Sequence, residues 1–177
     1  KLTDMKVIKT LLIAIVSIIA LILIVALFLP KTFSAEGTAT INKPVNEGFS
    51  YVRQIKNQEN YGVWFKMDDK MTKEYSGEDG TVGFKYSWKS KKVGDGIQVI
   101  TKIEENKRIE MDLFFNGEKE PAKSYISTEP ANNTQTNVKW AVNGAIPYPF
   151  NIMCLFYDMN KDLQEGVQNL KTVLEKQ

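Results

Sequence analysis

Histidine is absent from this 177-residue chain, and cysteine occurs once, as Cys154. Without histidine the chain cannot form Ser–His or Cys–His nucleophile pairs, and it lacks both the usual proton carrier at neutral pH and the commonest metal ligand. A single cysteine excludes an internal disulfide and a thiolate metal cluster. We therefore predict no catalytic residue, no metal site and no cofactor, and an enzyme is the least favoured class of function.

Cys154 stands in the apolar run 150–156. A free cysteine in such surroundings usually behaves as a small buried hydrophobe. We expect Cys154 to be buried; an intermolecular disulfide in an oxidising compartment is the alternative.

An excess of charge of either sign is also missing from most of the chain. Residues 1–30 carry three Lys and one Asp, which leaves 20 basic and 20 acidic residues in 31–177. Binding to nucleic acid depends on clustered Lys and Arg, and so does strong docking to anionic lipid. The interspersed, balanced charges of 31–177 argue against both.

One long uncharged run is present, the 19 residues from Leu11 to Leu29. As a helix rising about 1.5 Å per residue it would span roughly 28 Å, close to the hydrocarbon thickness of a bilayer. A cleaved signal peptide is an alternative, but its apolar region is shorter, and cleavage after Ala35 would put bulky Phe33 where a small residue is expected. A buried core helix would show a polar stripe, and none is visible. We predict a transmembrane anchor, in contact with the membrane through residues 7–29.

The flanks of this run predict its orientation, because cytoplasmic flanks carry the excess of Lys and Arg. We expect the N-terminus to be cytoplasmic and the domain to lie on the extracytoplasmic side, which is the periplasm in a Gram-negative bacterium. The basic residues before the run are Lys1, Lys6 and Lys9, against Asp4, and only Lys31 follows closely. The chain begins with Lys, so translation is expected to start at Met5 or upstream. We divide the chain into an anchor (1–30), a short linker (31–37) and one domain (38–177).

Apolar periodicity predicts that this domain is α+β. A short strand over 38–41 precedes a helix from Pro44 to about Lys56, and an aromatic cluster near Trp64 favours a second short helix. The period then becomes two over 84–88, 97–103, 109–115 and 138–142, with Ile97 and Val99 on the apolar face of the second segment. Turn residues between these segments predict hairpins, and therefore an antiparallel sheet.

The last predicted element is one helix from about Pro149 to Glu175. Its second half is amphipathic, through Leu163, Val167, Leu170 and Leu174. Its first half is apolar nearly all round, so we expect that half to be enclosed on more than one side.

Several short motifs follow one another along the chain: Ile41-Asn42-Lys43-Pro44, the 56–64 region ending in Trp64, Asp79–Gly83 leading to Trp88, Val93–Gly96, Val138-Lys139-Trp140 and Pro147-Tyr148-Pro149. In this order they resemble the START-like, or SRPBCC, superfamily, and in particular membrane-anchored polyketide-cyclase-like proteins of Bacteroidetes type. The resemblance covers about residues 36–176. It implies a helix-grip fold, in which a curved antiparallel sheet surrounds a long C-terminal helix, often with an apolar ligand between them.

We expect a ligand-binding cavity beneath that helix, since mixed aromatics and Met suit a flexible apolar ligand. The predicted lining is Trp64, Phe84, Tyr86, Trp88, Met111, Leu113, Trp140, Met153 and Tyr157. The alternative is that these side chains simply fill the core.

Three further features have plain readings. Asp68, Asp69 and Glu74 could act in acid–base chemistry, but the interleaved lysines favour a solvated loop. The sequon beginning at Asn132 favours a hairpin turn. The apolar loop 144–150 is either a docking patch or the segment that leads into the last helix.

These observations favour a membrane-anchored domain that binds a lipid or another small apolar ligand. The alternative is a non-catalytic accessory subunit of a larger membrane protein complex, with a vestigial cavity.

Overall fold

The computed structural model describes residues 2–176, with side chains from Met5 onward. Lys1, used above for orientation, and Gln177, the end of the predicted domain, lie outside the described residues. The chain forms two compact units. The N-terminal unit consists of the described residues through Phe33 together with Ala145–Tyr157, and the sheet unit consists of Ser34–Gly144 and the described residues from Asp158 onward.

The elements follow the order expected of an α+β fold. The helices are α1 (Leu2–Phe28), α2 (Val45–Arg53), α3 (Gln58–Tyr61), α4 (Trp64–Met67) and α5 (Met159–Glu175), with 3₁₀ helices at Ile55–Asn57 and Phe150–Leu155. The strands are β1 (Thr32–Ile41), β2 (Thr72–Ser76), β3 (Lys85–Lys89), β4 (Gly96–Glu104), β5 (Arg108–Phe115), β6 (Ala122–Asn132) and β7 (Gln135–Ala145). They form one antiparallel sheet in the order β1-β7-β6-β5-β4-β3-β2.

Helix α1 contains the predicted membrane-spanning segment. Met5–Phe28 is 24 residues long with a mean hydropathy of 3.4, and nearly all of its side chains are exposed. At about 1.5 Å per residue it is roughly 36 Å long, more than the hydrocarbon core of a bilayer. One N-terminal helix is therefore long and apolar enough to span a membrane.

The sheet unit has an apolar core between one face of the sheet and its helices. Phe49 and Val52 of α2 are fully buried, and so are Leu163 and Val167 of α5. The predicted inward faces of β5 and β7 are correct, because Met111 and Trp140 are both buried.

The predicted face of β4 is wrong. The structure buries Gln98 and Ile100, whereas Ile97 and Val99 are only half-buried. Pairing with β5 fixes this register, since Gln98 lies opposite Leu113 on the buried face. An irregularity between Ile100 and Lys102 then shifts the register, so that the outer half of β4 does not continue the alternation of the inner half.

The prediction of a single long C-terminal helix is also wrong. Asp158 interrupts it: its carboxylate accepts a hydrogen bond from the Asn160 N–H and begins α5 as an N-cap. The preceding residues form the separate 3₁₀ helix, in which Phe150, Met153 and Leu155 are exposed rather than enclosed. Phe156, just after it, is 85% exposed, and Cys154 is exposed as well.

Side chains of α5 bond the outer edge of β1. Four of them reach every second residue from Glu36 to Asn42, the residue that follows the strand, and about 22 Å of helix between the first and the last matches about 20 Å of extended chain. The pairs are Asn160 with Glu36, Gln164 with Thr38, Lys171 with Thr40 and Glu175 with Asn42. The helix therefore covers backbone groups that an edge strand would otherwise expose.

Glycine permits this close approach of strand and helix. A Cβ atom at Gly37 would lie 2.4 Å from the carbonyl carbon of Leu163. Residues 32–37, assigned above to a linker, are thus part of β1.

Candidate functional site

Five of the seven predicted lining residues in the sheet unit lie on strands of the sheet, whereas Phe84 directly precedes β3 and Trp64 lies on α4. Phe84, Tyr86, Met111, Leu113 and Trp140 are all buried. Trp64 and Trp88 are half-buried.

Aromatic rings connect these positions. Trp64 of α4 meets Trp140 edge-on at 5.7 Å between centroids, and Tyr61 meets the same indole at 5.6 Å. On the other side of the face, Tyr86 packs against Trp88 at 5.4 Å. Such tilted and edge-on packing is favourable and gives the interior large polarisable surfaces.

A polar cluster lies within this apolar face, and sequence reasoning missed it. We define the interior amide cluster as Gln58, Gln98 and Ser124 together with the thioether of Met111. The side-chain amides of Gln58 and Gln98 both donate to the Met111 sulfur, at N···S distances of 3.9 Å and 2.6 Å respectively. Ser124 lies directly opposite Met111 on β6 and accepts a hydrogen bond from the Trp140 indole N–H at 3.3 Å.

The two glutamine amides of the interior amide cluster have a weak hydrogen-bond acceptor. All three polar residues are at most 5% exposed. A thioether is a poor acceptor, and burying an amide without a good partner is costly. Two amide donors that converge on one sulfur are therefore available to a better acceptor.

Two tyrosines add hydroxyl groups to the same unit. The Tyr61 hydroxyl is buried and has no hydrogen-bond partner among the described residues. Burial raises the pKa of Tyr61 far above its usual value, with Tyr51 and Asp79 adding to the rise. Burial likewise raises the pKa of Tyr86, whose hydroxyl donates to the Met71 sulfur at 3.8 Å. Both phenols therefore stay neutral and able to donate hydrogen bonds.

Met153 and Tyr157, the other two predicted lining residues, belong to the N-terminal unit. They are 56% and 44% exposed. Met153 directly precedes Cys154, and Tyr157 directly follows Phe156. Both lie in the segment that ends just before Asp158, where the predicted helix is interrupted.

The acid–base candidates separate into one structural carboxylate and two exposed ones. Asp68 is buried and accepts from the Ser90 hydroxyl at 2.6 Å and from the Lys70 N–H at 3.0 Å. These hydrogen bonds hold the pKa of Asp68 below its usual value, and the bond from Ser90 has the larger effect. Asp69 and Glu74 are exposed. A carboxylate fixed in its ionised form is not poised to donate a proton.

The sequon lies at the tip of the β6–β7 hairpin. The Asn132 side chain accepts from the Thr134 N–H at 2.9 Å, which is the geometry of a local Asx turn. Among the side chains described, those of residues 5–176, no three Asp, Glu or Cys residues are grouped as metal ligands.

Comparison with solved structures identifies the fold. Norcoclaurine synthase from Thalictrum flavum, in complex with dopamine and hydroxybenzaldehyde, is 9% identical with a TM-score of 0.64; the match covers 82% of this chain and 87% of that chain. The Aha1 dimer from Colwellia psychrerythraea is 16% identical with a TM-score of 0.57, covering 81% and 96%. Ara h 8.0201 is 14% identical with a TM-score of 0.55, covering 82% and 99%. No protein-family model and no curated protein matches the chain.

These similarities establish the class. The chain has the START-like, or Bet v 1-like, helix-grip fold, and the predicted α+β fold class is confirmed.

Proposed function

We propose that this chain is a single-pass membrane protein whose START-like domain binds a lipid or another small amphipathic molecule of mainly apolar surface. The ligand occupies the interior of the sheet unit, with its acyl or ring portion against the aromatic face and one polar group at the interior amide cluster. No covalent chemistry is part of this function.

The observation that carries the proposal is the convergence of the Gln58 and Gln98 amides on one thioether. A domain selected only for stability would gain by replacing such amides with apolar side chains of the same size. A ligand carbonyl or hydroxyl would supply the acceptor that the sulfur provides poorly. Apolar walls with a few convergent polar groups are typical of small-molecule sites.

The surrounding side chains fit the same ligand class. Trp140, Tyr86 and Met111 present aromatic and thioether surfaces, which adapt to flexible apolar molecules. The bound dopamine and hydroxybenzaldehyde in norcoclaurine synthase are small amphipathic aromatics held by a protein of this fold, which supports the same use here.

The N-terminal helix supports a membrane source for the ligand. Only three residues separate the end of α1 at Phe28 from the start of β1 at Thr32, so the tether is short. Burying one methylene gains about 0.8 kcal/mol relative to water. Transfer from bilayer to protein interior is nearly neutral by that measure, so exchange in both directions is expected. Lys1, Lys6 and Lys9, which precede the uncharged run from Leu11, favour a cytoplasmic N-terminus and an extracytoplasmic domain.

Tryptophan fluorescence tests the proposal. The three tryptophans are Trp64, Trp88 and Trp140. A Trp64→Phe/Trp88→Phe variant of the full-length protein leaves Trp140 as its only tryptophan reporter. The variant is reconstituted into nanodiscs made from either brominated or ordinary phosphatidylcholine. We expect brominated lipid to quench Trp140, and added ordinary lipid to reverse the quenching.

A matched control carries Trp64→Phe, Trp88→Phe, Trp140→Phe and Asn133→Trp, which moves the reporter to the exposed hairpin tip. Its fluorescence should be the same in both lipids. Equal fluorescence of the Trp140 reporter in both lipids would contradict acyl-chain entry into the interior.

A further inference from the structure

The segment Ile146–Tyr157 of the N-terminal unit contains a run of exposed apolar side chains. Between Ala145 and Tyr157 there is no charged residue. The exposed large side chains are Tyr148, Phe150, Met153, Leu155, Phe156 and Tyr157. Clusters of this kind are uncommon on surfaces that face water.

The segment is fixed to the end of the apolar helix. Asn151 is fully buried, and its amide donates to the carbonyl of Ala26 at 2.8 Å and to that of Leu29 at 3.1 Å. The Ile146 N–H donates to the Lys31 carbonyl at 2.9 Å. The last carbonyls of a helix have no partner within the helix, and Asn151 supplies a donor where water is scarce.

These bonds determine the depth of the segment. Ala26 lies three residues before Leu29, the last residue of the uncharged run, which corresponds to about 4.5 Å along a helix. If α1 spans a bilayer, the Asn151 amide therefore lies at the level where hydrocarbon gives way to headgroups. Interfacial elements insert their apolar faces about 5–10 Å into this boundary, and Phe and Tyr are suited to it.

We propose that Ile146–Tyr157 is a second membrane contact, an interfacial segment whose exposed side chains insert into the lipid leaflet around the C-terminal end of α1. The proposal rests on the membrane anchoring put forward above. Because the segment has no charge, insertion is driven by apolar burial. It needs no anionic lipid and is insensitive to salt.

The native Cys154 is a built-in probe, because it is the only cysteine, is exposed and lies within the segment. Full-length protein labelled there with a nitroxide is reconstituted into phosphatidylcholine vesicles. Electron paramagnetic resonance then compares label collisions with oxygen, which concentrates in the bilayer, and with a water-soluble nickel chelate. We expect oxygen collisions to dominate, and the same result with added phosphatidylglycerol or high salt.

The control variant is Cys154→Ser/Asn133→Cys, which moves the label to the hairpin tip; there we expect nickel collisions to dominate. Phe156→Asp should shift the Cys154 label towards nickel. Val82→Asp, at another exposed apolar side chain but in the sheet unit, should not.

Vesicle flotation separates the possible failures. Protein that floats with vesicles while its Cys154 label collides chiefly with nickel would overturn the interfacial segment and leave the anchor intact. A label shielded from both reagents would overturn it in favour of a covering protein partner. Protein that does not float would overturn both the anchor and the segment.

Discussion

Replacing Gln98 by methionine should stabilise the empty protein and weaken ligand binding. Gln98 is 5% exposed, it faces the core beside Leu113, and its amide donates to the Met111 sulfur. Methionine is similar in length and unbranched, so Gln98→Met removes the amide with little change of shape.

The magnitude follows from the cost of burying the amide. A buried amide with a poor partner costs about 1–3 kcal/mol in mutational data. We therefore expect the free energy of unfolding to rise by about 1 kcal/mol or more. For a domain of this size, each 1 kcal/mol shifts Tm by about 2–4 °C. If the amide also bonds the ligand, its loss removes about 1 kcal/mol of binding, or roughly fivefold in Kd.

Thermal unfolding of delipidated full-length protein in mild detergent, followed by tryptophan fluorescence, measures the first effect. Lipid analysis of the purified protein measures the second. Gln168→Met, at an exposed position of α5, is the matched control and should change stability by less than about 0.5 kcal/mol. A destabilised Gln98→Met protein with unchanged ligand content would refute the reasoning, because the amide would then be a structural hydrogen-bonding group.

Three further substitutions test the packing. Gly37→Ala should cost about 1–3 kcal/mol in urea unfolding, because its Cβ would collide with the backbone of α5. Gln164→Ala should cost about 1 kcal/mol in the same assay, since its amide makes two exposed hydrogen bonds to the backbone of Thr38. Asp68, whose pKa is lowered by its bond from Ser90, contributes stability above its unfolded pKa that is lost as pH falls through its folded pKa. The Tm of Asp68→Asn should therefore fall short of wild type at neutral pH and converge with it in acid.

Each of these variants has a control. Gly48→Ala, whose Cβ would lie 3.8 Å from its nearest neighbour, should leave stability unchanged or slightly raised. Gln168→Ala and Asp69→Asn replace exposed side chains of the same types, and they should behave as wild type. A loss in a control equal to that of its test variant would contradict the assigned contact.

The parts of the fold with a regular apolar period could be predicted from sequence. Strands β5 and β7 alternate cleanly, and α2 presents Phe49 and Val52 at helical spacing, so their inward faces follow from the pattern. Strand β6 was missed because Ile126 is the only large apolar residue on its buried face, where it stands between Ser124 and Thr128. Strand β2 was missed because most of its residues are exposed.

The interior amide cluster could not be predicted for a related reason. Alternation places a glutamine on the solvent side, and only the pairing of β4 with β5 turns Gln98 inward. Gln58 stands in a polar stretch that reads as a turn. The break before α5 did leave a local signal, because aspartate is among the best N-caps and Asp158 directly precedes the amphipathic stripe.

The central claim, that the sheet unit holds a small apolar ligand, is tested most directly by native mass spectrometry. Full-length protein is extracted in mild detergent and activated in the gas phase until the micelle is removed. The account predicts a retained small apolar mass, reduced in Gln98→Met and unchanged in Gln168→Met. A bare polypeptide mass for the wild-type protein, or a mass found only with other subunits bound, would contradict it.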